Sequence, residues 1–195
     1  MNFPLTRRAL AALALGACMA GAGWAADAPR VKLATSAGDI VIEVYPDMAP
    51  KTAENFLQYV RDKHYDGTIF HRVIDRFMVQ GGGFDKNMNE RPTRPPVVLE
   101  AREAFGKGLR NLPGTIAMAR TSDPDSATGQ FFINVADNSG RLDPKGSNAG
   151  YTVFGKVVSG MDVVNRIKGV PTGNAGPHSD VPLTPVVITA ATIVK

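Results

Sequence analysis

Phe70-His71-Arg72-Val73-Ile74-Asp75-Arg76-Phe77-Met78-Val79-Gln80-Gly81-Gly82-Gly83 places one fixed cation among large apolar side chains and closes on an amide and three glycines. Read with a period of two, Phe70, Arg72 and Ile74 share one face of a strand, and His71 and Val73 share the other. An arginine on an apolar strand face is costly unless something uses its charge, because a guanidinium does not shed its proton. The run therefore marks both a strand and a candidate site, with Arg72 at its centre.

Outward from this run, β-rich segments recur at short spacing. Val31–Ala34 and Ile40–Tyr45 flank Thr35-Ser36-Ala37-Gly38-Asp39, a hairpin-like punctuation. Further strands are expected at Met78–Gly81, Val97–Leu99, Thr115–Ala119, Phe131–Val135, Val153–Val157 and Val186–Val194. Thr52–Arg61 reads as a helix, with Ala53, Phe56, Leu57 and Val60 on one apolar stripe and Thr52 as its N-cap. A second helix is expected over Met161–Lys168, between Gly160 and Gly169. Many short strands with few helices predict a mainly β fold, a closed antiparallel barrel.

The chain has 195 residues, 44% hydrophobic and 21% charged, which suits one soluble domain with a sizeable core. Arg7-Arg8, the alanine-rich run from Ala9 to Ala22, and small residues at Gly23 and Ala25 read as a signal peptide over residues 1–25. The apolar run is too short for a membrane span. This predicts a periplasmic protein whose domain covers residues 26–195. The alternative is a lipid anchor on Cys18, because Leu15-Gly16-Ala17-Cys18 resembles a lipobox. Cys18 is the single cysteine, so a chain cut after Ala25 has no thiol chemistry and no disulfide. Of the formal charge of +4, Arg7 and Arg8 supply two, leaving +2, with no Lys/Arg stripe that would argue for nucleic acid.

The motif Phe-His-Arg-x-Ile-x-x-Phe-Met-x-Gln-Gly-Gly, joined by Gly129-Gln130-Phe131-Phe132-Ile133-Asn134 and Phe154-Gly155-Lys156-Val157, resembles the cyclophilin family of peptidyl-prolyl cis-trans isomerases. The resemblance runs from about Val31 to the C-terminus. It implies an eight-stranded barrel capped by two helices, acting on X-Pro bonds of unfolded or partly folded polypeptides, as a monomer and without a cofactor. Arg72 matches the family's catalytic arginine. Phe77, Met78, Phe132 and Leu142 match its proline pocket, and Gln80 and Gln130 its site glutamines. Ala119 and Arg120 match a strand end that meets substrate backbone; the family often has asparagine at the place of Arg120. Tyr151 stands where well-known members have a site histidine. Arg141 stands where several eukaryotic members carry a tryptophan that contributes to cyclosporin binding, so tight drug binding is not implied. A binding module that grips proline segments without turnover is the rival reading; a retained Arg72 argues against it.

Other signals carry less. His64 and His71 have no third ligand placed for zinc, so structural packing is expected and no metal site is assigned. Gly81-Gly82-Gly83 lacks the Lys-Ser/Thr of a phosphate loop, leaving close backbone approach as its reason. Asp123, Asp125 and Asp143 read as solvated loop acids.

Overall fold

The computed structural model describes residues 28–194; the expected signal peptide, Cys18 and Trp24 lie outside them. Ten strands and four helical segments follow in chain order. They are β1 (Arg30–Thr35), β2 (Gly38–Val44), α1 (Pro50–Arg61), β3 (Thr68–Ile74), β4 (Met78–Asp85), α2 (Ala101–Gly106), β5 (Thr115–Met118), β6 (Phe131–Asn134), α3 (Ser139–Leu142), β7 (Val153–Ser159), α4 (Met161–Lys168), β8 (Thr172–Ala175), β9 (His178–Pro182) and β10 (Ile188–Val194).

Eight strands form one antiparallel sheet in the order β10-β1-β2-β7-β5-β6-β4-β3. The sheet curls until its edges approach. Gly67 N–H donates to the Ile188 carbonyl at 2.8 Å and Phe70 N–H to the Val186 carbonyl at 3.0 Å. These bonds and an isolated bridge between Ile69 and Val187 join the edges, so the barrel closes over a short seam rather than a full ladder. Strict alternation builds the interior: Ile40, Ile42 and Val44 of β2 point inward, as the period of two predicts. Phe56 of α1 packs against Tyr65, Phe131 and Phe154 with ring centroids 5.0–5.7 Å apart. α4 packs on the same core through Val163, Val164 and Ile167. Gly160 precedes it at φ +88°, where an added methyl carbon would meet the Asp39 carbonyl, so no side chain fits that turn.

Several local expectations change. α1 begins at Pro50, and Thr52 lies inside it rather than capping it. The cap arrives from elsewhere in the chain. The buried Glu100 carboxylate accepts from Lys51 N–H (3.1 Å), Thr52 N–H (2.7 Å) and the Thr52 hydroxyl (2.7 Å). A negative charge at free helix N–H groups is favoured by both hydrogen bonding and the helix dipole. Val97–Leu99 forms no strand. Pro95 and Pro96 supply no donors, the Asp125 carboxylate takes the Leu99 N–H at 2.8 Å, and only a bridge from Val97 to Ala127 remains. The β8–β9 hairpin, unforeseen, packs beside β3.

Candidate active site

The β3 run does not keep its period. Phe70 pairs with Gly81 while Arg72 pairs with Gln80, so two residues of β3 oppose one of β4. His71 is the extra residue of a bulge, and the bulge shifts the phase of the faces. Phe70 and Val73 both enter the main core, whereas His71 and Arg72 both face a cleft outside the barrel. The expected sharing of one face by Phe70 and Arg72, and of the other by His71 and Val73, is thus corrected. The bulge resolves the cost of a cation on an apolar face, because it turns Arg72 out of the core.

The cleft has a volume of about 550 Å³. All ten side chains singled out from the sequence line it: Arg72, Phe77, Met78, Gln80, Ala119, Arg120, Gln130, Phe132, Leu142 and Tyr151. Its floor is a second apolar cluster, separate from the barrel core. Met78, Ala117, Phe132, Leu142 and Val153 form it, with Phe77, Ala119 and Tyr151 half-buried around them. Strand alternation produces this second cluster. Ile116, Met118, Phe131, Ile133 and Val79 point inward, so Ala117, Phe132 and Met78 point out. The chain from Val135 to Tyr151 then folds over the outward face, and both faces of β5 and β6 are buried.

A buried polar network fixes that covering loop. Asn138 Nδ2 donates to the Phe77 carbonyl and to Asn134 Oδ1, both at 2.7 Å. Asn134 Nδ2 donates to Asn111 Oδ1 at 3.2 Å, and Asn111 donates through N–H and Nδ2 to Asp143 Oδ1, both at 2.9 Å. Asp143, expected in solvent, is instead buried, and Arg110 Nε lies 3.8 Å from its other oxygen. Its neighbour Leu142 and the far wall at Phe77 are thereby held in one frame. A fully satisfied network of this kind resists loosening, because any broken link strands a buried polar group.

The polar wall stands opposite. Gln80 Nε2 donates to Gln130 Oε1 at 3.0 Å, so the two amides brace each other. Gln130 lies flat on β4: a methyl carbon added to Gly83 would sit 2.5 Å from its Cδ, which explains one glycine of the triplet. Gly82 occupies φ +86° against Tyr65, which explains another. Among the described residues Arg72 makes no side-chain hydrogen bond. Its nearest carboxylate is Asp180 Oδ2, 3.9 Å from Nε, with both side chains about two-fifths exposed. Arg120 is fixed by bonds to the Gly150 carbonyl (3.1 and 2.8 Å) and the Thr121 carbonyl (2.8 Å), and it stacks 4.4 Å from the Tyr151 ring centre. The Ala119 N–H is taken by the Gln130 carbonyl at 2.9 Å.

Five lining residues escaped the sequence reading: His71, Phe84, Pro177, His178 and Ser179. Three belong to the β8–β9 hairpin, whose polar, glycine-containing strands give no alternation to detect. His71 stacks edge-on with Phe84 (4.7 Å), which stacks edge-on with His178 (5.0 Å). Burial pushes the His71 imidazole from 6.5 down to about 4, and the nearby His178 pushes the same way. The folded chain thus keeps His71 neutral where the unfolded chain protonates it. Stability is unaffected above about pH 6.5 and falls as pH drops from 6.5 toward 4. By linkage the loss is on the order of 1 kcal/mol at pH 5.5. Urea unfolding at pH 7.5 and 5.5 should show that difference, and His71→Gln should shrink it; an unchanged difference would dismiss His71 as its source. His64 differs: its Nε2 meets the Gly82 carbonyl at 2.9 Å and its ring abuts Tyr59, a packing role away from the cleft lining.

An arginine beside an apolar socket, on an eight-stranded curled sheet, defines a class. The family described as cyclophilin type peptidyl-prolyl cis-trans isomerase/CLD matches residues 30–193, and the chain belongs to it. A peptidyl-prolyl cis-trans isomerase of Streptomyces antibioticus is 56% identical over 165 residues, covering 84% of this chain and 97% of the relative. Peptidyl-prolyl cis-trans isomerase B of Escherichia coli is 52% identical over 162 residues, covering 82% and 96%. Among solved structures, a Cryptosporidium parvum cyclophilin crystallised with the dipeptide Ala-Pro aligns with a TM-score of 0.68 at 25% identity, covering 85% of this chain and 99% of that one. The protein is a peptidyl-prolyl cis-trans isomerase.

Proposed function

We propose that this isomerase is exported to the periplasm and turns X-Pro bonds of exported, incompletely folded proteins, with Arg72 as the catalytic group. Rotation about an X-Pro bond is slow because amide resonance is lost on the way, a barrier of about 18–20 kcal/mol. Uncatalysed exchange takes roughly 10–100 s. No bond is made or broken, so the protein needs only to bind the twisted amide better than either planar form.

In this reading the proline ring sits on Met78, Phe132 and Leu142 beside Phe77, while the preceding carbonyl swings. Twisting pyramidalises the prolyl nitrogen and gives it a lone pair. The Arg72 guanidinium donates to that nitrogen, which has no such lone pair in the planar ground states. Gln80 and Gln130 hold the substrate backbone with the amide donors and acceptors that their mutual bond leaves free. The Ala119 carbonyl and the Arg120 backbone take the segment before the proline. The observation that carries this reading is the bulge at His71, which sets Arg72 beside a socket built from the outward residues of β4 and β6.

Export rests on the leader-like residues 1–25. Cutting after Ala25 removes Trp24, the single tryptophan. Protein recovered from a periplasmic extract should begin at Ala26 or Asp27 by intact mass and show tyrosine emission alone. A lipid-modified Cys18 at the N-terminus, with tryptophan emission in the membrane fraction, would overturn the soluble form. Among the described residues no helix is long and apolar enough to cross a membrane.

A further inference from the structure

Two guanidinium groups line the cleft, Arg72 and Arg120, and a third, Arg141, stacks on its wall residue Phe77; they differ in what they have left to give. Arg120 spends its donors on backbone carbonyls. Arg72 faces Asp180. Arg141, in the last turn of α3, stands 5.0 Å from the centre of the Phe77 ring and has no hydrogen-bond or ion-pair partner for its side chain among the described residues. The nearest acids in sequence are otherwise engaged. Asp137 Oδ1 accepts from the N–H and hydroxyl of Ser139, and Asp143 is buried against Asn111 and Arg110. The ring face holds an exposed cation at the edge of the socket without neutralising it.

We propose that the cleft selects X-Pro segments carrying an acidic side chain next to the proline, and that Arg141 is the residue that reads it. The inference rests on the placement of the proline ring beside Phe77. Adjacent Cα atoms are about 3.8 Å apart, so a neighbour of the seated proline lies within one side-chain length of the socket edge. A glutamate or aspartate there meets a planar fork whose donors match a carboxylate. A lysine there meets a like charge. Exposed ion pairs are individually weak, so a preference of severalfold is expected rather than an absolute one.

The test uses the purified, processed protein and peptides identical except for Glu, Gln or Lys before the proline, with a second set varied after it. Exchange is read by NMR, free of a coupling protease. The ratio of kcat/KM for the Glu peptide over the Lys peptide should reach roughly fivefold in one set, and fall toward one between about 0.01 M and 1 M salt. Arg141→Glu should invert the ratio and Arg141→Lys should keep its sign. Should Arg141→Glu not fold, Arg141→Gln must abolish the preference. Equal turnover of Glu and Lys peptides, alongside normal turnover of the Gln peptide, would overturn the role of Arg141 and leave the isomerase reading intact. A ratio unmoved by the Arg141 variants would overturn it too. Failure on every peptide would overturn the socket placement and this inference together.

Discussion

Arg72→Ala is expected to lower kcat/KM for a proline peptide by at least about tenfold, a loss of about 1.4 kcal/mol of transition-state stabilisation, while the fold persists. The two halves of this expectation have separate causes. Arg72 lies outside the barrel core, is about two-fifths exposed, and makes one long ion contact to Asp180, so little stability depends on it. Its proposed bond to the prolyl nitrogen exists only when the amide is twisted, so its removal lowers kcat more than it raises KM. Arg72→Lys should also be impaired, because a compact ammonium does not reproduce the planar fork. Peptide exchange rates across a range of substrate concentrations check both variants. Full activity in Arg72→Ala would remove the arginine from the mechanism.

Glu100→Ala should destabilise the fold by about 3 kcal/mol and leave the turnover of the folded fraction unchanged. One buried carboxylate serves two N–H groups at the start of α1 and the Thr52 hydroxyl. Hydrogen bonds to a charged partner are worth about 1.5–3 kcal/mol each, and losing the partner strands buried donors that water does not reach. The bonds share one acceptor, so their energies do not simply add. Glu100→Gln keeps an acceptor but loses the charge at the helix N-terminus, and should cost about half as much. Urea midpoints with an unchanged slope measure the effect. A change below about 1 kcal/mol in Glu100→Ala would show that α1 is capped by other means.

Local sequence carried the parts of the fold that depend on local pattern. The inward alternation of β2 and the stripe Ala53, Phe56, Leu57, Val60 of α1 are visible in the chain because burial imposes them residue by residue. The bulge at His71 was not legible, since it exists only relative to β4, and the period of two assigned Phe70 to the wrong partner face. The cap of α1 is not legible locally, because Glu100 lies 48 residues from Thr52. Asp143 looked solvated because its partners Asn111 and Arg110 are distant in sequence. The β8–β9 hairpin has neither alternation nor β-branched runs, so His178 and Ser179 reached the cleft unannounced. The ten cleft residues came from motif resemblance rather than periodicity; a period of two alone would have assigned Met78 and Phe132 to ordinary core packing.

If X-Pro rotation occurs in this cleft, peptide binding and accelerated exchange must coincide there. An isotope-labelled sample titrated with an Ala-Pro peptide tests it most directly, with cis-trans exchange of the peptide and shifts of the protein read together by NMR. Exchange far faster than the uncatalysed roughly 10–100 s should appear together with shifts at Phe77, Met78, Gln80, Phe132 and Leu142. Shifts at these residues without faster exchange would reduce the cleft to a proline-binding groove. Faster exchange with shifts confined elsewhere would place the activity outside it; either result contradicts the account.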